Sequence, residues 1–327
     1  MKTHCSKILI VILSAFLLLL GCDAPRENPV DPNNPDNQFA ELNGTVKTKG
    51  FPFVPINSVN VFWENENALV QTSSDGSFSI SDVKKIDGWL FFNGTGYSRD
   101  SVFIQWNNRK IINSEVFLNS IPIVDSLEFF SIVENRFQVN QIYRIVVRAQ
   151  ISDFEGVNDI DSVFLENESL NIRSRLLFNS LTGFYERTMG LADLRIADLN
   201  ELIGKNFDLI VEDLEGRNFI TANTFIKRVI NEEIELFSPI QNAVVSVPFN
   251  LRWRRFTPGY NFIYEIEIST NEIQPQLVFR VENIPSDSIS YLINTNFAGK
   301  DFFWTIWAVD EFKNRSRSKP GSFQIQE

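Results

Sequence analysis

The chain reads as an all-β protein: three consecutive β-sandwich domains behind an export segment and a proline-asparagine tether. Three observations predict this. From Phe39 onward the apolar residues fall in short alternating runs separated by turn signals such as Ser74-Asp75-Gly76-Ser77, a spacing that suits sandwiches and barrels. Hydrophobic residues make up 43% of the chain and 30 of them are Phe, enough to fill packed cores. At 327 residues the chain is too long for one ordinary core.

The first segment, residues 1–21, opens on Lys2 and Lys7 and continues as an apolar run from Ile8 to Leu20, apart from Ser14 and Ala15. It closes on Leu19-Leu20-Gly21-Cys22. A positive start, an apolar centre and a small residue at the cut make a secretory signal. The closing residues resemble the lipobox of bacterial lipoproteins. That resemblance implies diacylation of the Cys22 thiol, cleavage before Cys22, and acylation of the freed amine. As a helix, Ile8 to Leu20 would reach roughly 20 Å, short of the about 30 Å hydrocarbon core. Lipid on Cys22, rather than a lasting span, is therefore expected to hold the protein to a bacterial membrane. Asp23 resembles the inner-membrane retention signal of some proteobacterial lipoproteins. That rule does not carry across phyla, so the choice of membrane and leaflet stays open.

Cleavage would remove two of the 30 basic residues and none of the 41 acids, leaving a net charge of −13. Such a charge disfavours nucleic acid or an anionic lipid surface as the main partner. The two cysteines are Cys5, inside the signal, and Cys22, taken by lipid. No disulfide is then expected in spite of the exported location, and the domains must hold by packing. The single histidine, His4, also leaves with the signal. Without it, no Ser-His-Asp or Cys-His nucleophile and no zinc site built on His or Cys can be assembled.

Residues 22–38 place Pro25, Pro29, Pro32 and Pro35 among Asn and Asp. The segment has no apolar face to bury and favours an extended, solvated tether of up to roughly 50 Å. Calcium binding through Asp31 and Asp36 is the alternative reading of this segment. Residues 39–121 follow with strand-like runs at Leu42–Thr48, Val59–Trp63, Phe78–Ile80, Trp89–Phe92 and Val102–Ile104. Gly44-Thr45-Val46, Pro55 before Val59-Asn60-Val61, Thr72 through Phe78, and Gly96-Tyr97 resemble the carboxypeptidase regulatory-like (transthyretin-like) domain. The resemblance implies a generally non-catalytic module. Within it, Asp75-Gly76 has a physical reason, since Gly supplies the positive φ of a tight turn.

Residues 122–231 form a second β-rich block. Ile145, Val147, Ala149 and Ile151 share one face of a strand, with Arg144, Arg148 and Gln150 on the other. This strand ends in Asp153-Phe154-Glu155-Gly156, and Phe207–Val211 leads to the echo Asp213-Leu214-Glu215-Gly216. Leu191–Ile203 has helix-compatible spacing over a turn or two, with Gly204 as its stop. The block resembles an immunoglobulin-like sandwich. Residues 232–327 resemble a fibronectin type III-like sandwich through Ser238-Pro239, the inward set Phe249, Leu251 and Trp253, the strand Tyr264, Ile266 and Ile268, and Phe302 to Asp310. Lys313 stands where a glycine is often expected before Asn314, and 269–288 reads as a long loop.

Asp153, Glu155, Asn158, Asp159 and Asp161 crowd nine positions after a strand. Two readings stand: a solvated acidic turn, and a site for a hard cation such as Ca²⁺, which takes six to eight oxygens. The EF-hand order is absent, which favours the turn. Trp253 and Trp304 share parity with aliphatic neighbours and belong in the core. Trp307 has the other parity, beside Phe303, which puts both on the outer face. There the indole can stack on a sugar, anchor a protein interface, or pack against the next domain. Trp89 and Trp106 cannot be given a face. The Asn-x-Ser/Thr sites at Asn43, Asn93, Asn167 and Asn314 are coincidental in a bacterial lipoprotein. The sequence leads to a non-catalytic, lipid-anchored envelope protein that presents sandwich modules to an envelope protein, for adhesion or scaffold assembly. The alternative is a glycan-binding or glycan-processing lipoprotein, in which a carboxylate pair is the remaining catalytic option.

Overall fold

The computed structural model describes residues 39–138 and 140–326; the export segment, Cys22 and the tether lie outside them. The regular structure of the described chain is nearly all β, and the chain divides into two compact units, one ending at Ser120 and one beginning at Ile121.

The first unit holds β1 (Phe39–Thr48), β2 (Asn60–Trp63), β3 (Ala68–Gln71), β4 (Ser77–Lys84), β5 (Gly88–Asn93), β6 (Asp100–Ile104) and β7 (Ile111–Leu118). They form two sheets, β4-β1-β7 and β3-β2-β5-β6, with β1 and β7 parallel. Period-2 alternation turns Val61, Trp63, Leu90 and Phe92 inward from one sheet. They meet Leu42, Val46, Ile80 and Val116 from the other, and each such burial contributes about 1.5–3 kcal/mol. Gly44 is required by contact: a Cβ there would lie 2.4 Å from the Ser114 carbonyl oxygen and 2.5 Å from the Phe78 ring. Gly76 is required by its φ of 74°. Beside it, the Ser73 and Ser77 hydroxyls and the Ser77 N–H donate to Asp75. These donors hold the Asp75 carboxyl at about 2, below the usual carboxylate range.

The second unit opens with β8 (Ile123–Glu134), β9 (Ile142–Ser152), β10 (Ile160–Asn167), β11 (Ile172–Asn179) and β12 (Phe184–Gly190). A short helix α1 (Leu191–Leu194) and a 3₁₀ turn (Leu199–Leu202) follow, as the spacing over 191–203 leads one to expect. Asp198 caps the turn by accepting from the Asn200 N–H, Glu201 accepts from the Asp198 N–H, and Leu194, Leu199 and Leu202 are buried. Then come β13 (Phe207–Asp213) and β14 (Asn218–Thr224). Strand β11 pairs with β10 through Ile172–Leu176 and with β12 through Leu177–Asn179, so it passes between the two halves of this sandwich. Ile145, Val147 and Ala149 pack there against Val163, Leu165 and Leu209.

The remaining strands are β15 (Leu236–Ser238), β16 (Ala243–Val245), β17 (Phe249–Trp253), β18 (Phe262–Thr270), β19 (Leu277–Pro285), β20 (Ser290–Ile293), β21 (Asp301–Asp310), β22 (Arg315–Arg317) and β23 (Gly321–Ile325). They enclose a separate core of Leu251, Trp253, Tyr264, Ile266, Phe302 and Trp304. The stretch 269–288 is not one long loop, because β19 lies inside it and pairs antiparallel with β18. Its alternation was hidden by two register shifts and by the left-handed Asn283, at φ 59°.

The two cores of this unit are joined by backbone. Strand β22 runs parallel to β8, pairing Arg315 with Ile132, Ser316 with Val133 and Arg317 with Glu134. A single hydrogen-bonded sheet therefore runs β14-β13-β10-β11-β12-β9-β8-β22-β21-β18-β19. Side chains reinforce the seam. Asn314 Oδ1 accepts from the Ser131 N–H at 2.9 Å and hydroxyl at 3.0 Å, and Asn135 Nδ2 donates to the Arg317 carbonyl at 2.8 Å. Glu134 is buried and meets Arg317, Arg136 and Arg144.

Candidate functional site

Three places in the described residues carry chemistry: the acidic turn after β9, the outer face around Trp307, and one sheet face of the first unit.

The echo between Asp153-x-Glu-Gly156 and Asp213-x-Glu-Gly216 is a shared turn. In each, the aspartate Oδ1 accepts the N–H two residues on, and the glycine N–H donates to the aspartate carbonyl. A third copy closes β21: Asp310 Oδ1 accepts from the Phe312 and Asn314 N–H groups, and the Lys313 N–H donates to the Asp310 carbonyl. Sequence reading missed it because Lys313, at φ 68°, occupies the left-handed position that Gly156 and Gly216 fill in the others. The copies differ at their fifth residue. Arg217 pairs with Asp213 at 3.0 Å and Asn314 donates to Asp310 at 3.0 Å, whereas the first turn has Val157.

Of the five sequence candidates, the fold brings together Asp153, Glu155 and Asp159, with one ligand atom of each within 4.8 Å of the others. Asn158 is exposed and precedes Asp159 in the 3₁₀ turn Val157–Asp159. Asp161 is exposed at the start of β10, and its Oδ2 accepts from the Ser162 hydroxyl. Burial pushes the Asp159 carboxyl up to about 6, and Glu155, Asp153, Asp213 and Glu215 push it the same way. The place is thus a concentration of negative charge that a proton relieves. Its three carboxylates match the oxygen chemistry of a hard cation and would supply only part of the six to eight ligands Ca²⁺ takes.

Trp307 does lie on the face opposite the core residues Trp304 and Ile306, as its parity requires, but it is not open to solvent. It is only 7% exposed. Arg315 and Arg317 each stand 5.5 Å above its ring, and its Nε1 donates to Glu267 at 2.9 Å. The arginines are fixed by Glu265 and Glu134. The indole is therefore a covered part of the seam rather than a stacking surface, because β22 brings two guanidiniums directly over it. Phe303 is half-buried and pairs with Ser322 and Ser269.

A cluster of exposed aromatics lies elsewhere, on the outer face of β3-β2-β5-β6. Register sets Leu69, Phe62, Phe91 and Ser101 in one row across the four strands. Trp89 and Phe103 are paired beside it on one side, and Gln71, Asn60 and Asn93 make a row of amides on the other. Trp89 is 42% exposed, Phe91 39%, Phe103 45% and Leu69 61%. The rings of Phe62 and Phe91 lie 6.3 Å apart at 33°, and Phe103 meets Trp89 edge-on at 5.2 Å. Trp106 takes the opposite role, buried with its Nε1 donating to the Ile86 carbonyl. The sequence did carry a signal for this face: Phe62 between Val61 and Trp63, and Phe91 between Leu90 and Phe92, make both parities apolar.

No known protein family matches the chain, and no curated protein matches it. Solved structures similar to it include the fibronectin(III)-like modules of CbhA from Clostridium thermocellum, at 12% identity over 63% of this chain and 93% of that one, with a TM-score of 0.30. The FN1–FN3 domains of chicken CNTN1 share 9% identity over 82% of this chain and 91% of that one, with a TM-score of 0.34. BcpA, the major pilin subunit of Bacillus cereus, shares 9% over 88% and 96%, with a TM-score of 0.27. These likenesses concern the β-sandwich fold alone.

Proposed function

We propose that this is a non-catalytic, lipid-anchored protein of a bacterial envelope that presents β-sandwich modules as binding surfaces for adhesion or scaffold assembly. The observation that supports it best is the continuous sheet of the second unit. Independent modules on a string would be joined by a mobile linker. Here β8 and β22 are hydrogen-bonded and a buried Asn314–Ser131 contact locks them, which suits a part that transmits or resists load. Lipid on Cys22, reached through the tether 22–38, supplies the anchor in this reading. The carboxypeptidase regulatory-like resemblance gives the first unit a non-catalytic role.

Crosslinking in intact cells, followed by identification of what is recovered, tests the proposal. Recovery of a defined envelope partner supports it, and recovery of the chain alone from every preparation argues against it. A second reading, carbohydrate binding, is favoured by the aromatic face of the first unit, since rings open to solvent beside amides suit polyhydroxylated ligands.

A further inference from the structure

We infer that the outer face of β3-β2-β5-β6 is a platform for a neutral glycan chain, which lies on Phe62 and Phe91 with its hydroxyls against Asn60, Gln71 and Asn93. The inference rests on the carbohydrate-binding reading and gives it a place and a ligand class.

Three observations carry it. The first is shape. A row across four strands spans about 14 Å at the usual inter-strand spacing, and the rings of Phe62 and Phe91, tilted 33° to one another, make its floor. Trp89 with Phe103 extends the apolar area along the strands. A pyranose presents a flat face of C–H bonds that fits such a floor.

The second is charge. In a chain with 22% charged residues, the amide row and the Leu69-Phe62-Phe91-Ser101 row contain none. Two carboxylates flank these rows without lying in them: Glu64 accepts from the Trp89 N–H at 2.6 Å, and Asp100 from the Ser101 N–H at 2.7 Å. A charged sugar polymer or an anionic lipid surface finds no counter-charge in these rows.

The third is the polar row. Gln71 Nε2 donates to Asn60 Oδ1 at 3.0 Å, which leaves the Asn60 N–H groups and the Gln71 oxygen to serve a ligand. Covering this row with a lipid tail or a second apolar sheet would strand those groups without partners. Hydroxyls satisfy them. A ligand with both a C–H face and a hydroxyl edge uses the rings and the amides together.

The test is affinity electrophoresis of the full chain in detergent through gels containing soluble starch, mixed-linkage β-glucan, xylan, mannan or galactan, with polygalacturonate as the charged probe. At least one neutral polymer should retard the protein. Phe91→Ala and Asn93→Ala should each weaken that retardation about tenfold. Ile220→Ala, an exposed apolar change in the second unit, should leave it as it was. Both first-unit variants change outward side chains, so their melting midpoints should stay within about 2 °C of the parent. Free migration through all five neutral gels overturns the inference, as does retardation that Phe91→Ala leaves intact or that polygalacturonate alone produces. A dimer or vesicle binding abolished by Phe91→Ala also overturns it, with a second copy or a bilayer as the occupant. Partners crosslinked through the second unit would survive any of these failures, so the wider binding role is judged separately.

Discussion

Asn314→Ala probes whether the two cores of the second unit act as one. Asn314 is buried, accepts from the Ser131 N–H and hydroxyl, and donates to Asp310 at 3.0 Å. Truncation leaves the buried Ser131 N–H without an acceptor, which costs about 1–3 kcal/mol. It also strips one donor from Asp310, which keeps Arg228 at 3.4 Å and the Phe312 and residue-314 N–H groups. That smaller loss adds about 1 kcal/mol, for a total of about 2–4 kcal/mol. The expected pattern matters more than the size. Ser131 lies in β8 and Asn314 beside β22, 183 positions apart, so the damage should reach both cores. Hydrogen-exchange mass spectrometry of the full chain reads each separately. Peptides from β8 and β9 should lose protection together with those from β21 and β22. If β21 and β22 lose protection while β8 and β9 are unchanged, the seam is a contact between independent modules and the argument for one load-bearing unit fails.

Four other outcomes follow. Asp159 has its folded pKa raised to about 6 from a reference of 3.8, so the folded state binds the proton more tightly than the unfolded chain does. Stability should therefore rise as pH falls from about 6 towards 4. At pH 7, Asp159→Asn should add on the order of 1 kcal/mol, the roughly 3 kcal/mol of the full shift being reduced by solvent screening; urea titrations at both pH values check it. If Asp153–Asp159 is a solvated turn, melting midpoints in Ca²⁺ and in EDTA coincide, and a Ca²⁺-dependent rise that Asp159→Asn removes would establish a cation there. Gly44→Ala should destabilise the first unit by about 1–3 kcal/mol, because the Ser114 carbonyl it meets belongs to paired backbone and cannot move aside. Trp307→Ala should cost about 3 kcal/mol in a urea titration while leaving retardation in glycan gels unchanged, which separates a covered seam residue from a ligand contact.

The cores were legible because their signal is local. Ile145, Val147, Ala149 and Ile151 alternate within one strand, as do Phe249, Leu251 and Trp253, and all seven are buried. The seam was not, because β22 is Arg315-Ser316-Arg317, three polar-rich residues with no period, and its partner lies far away in the chain. For the same reason parity could put Trp307 on the outer face without revealing what lies above it. The acidic candidates divided along similar lines: a turn held by its own aspartate and the 3₁₀ turn after it gather Asp153, Glu155 and Asp159, while Asp161 leaves with the new strand. At the aromatic face, alternation failed as a guide because both sides of β2 and β5 are apolar, so neither parity marks the core. Only the second sheet, packed against Trp63 and Phe92, decides which side is buried.

The most direct test of an anchored display protein is the intact mass of the chain recovered from the membranes of its own cells. The expected species begins at Cys22 and carries a diacylglyceryl thioether and an acylated amine. A chain that still starts at Met1, or a free thiol at Cys22, would contradict it.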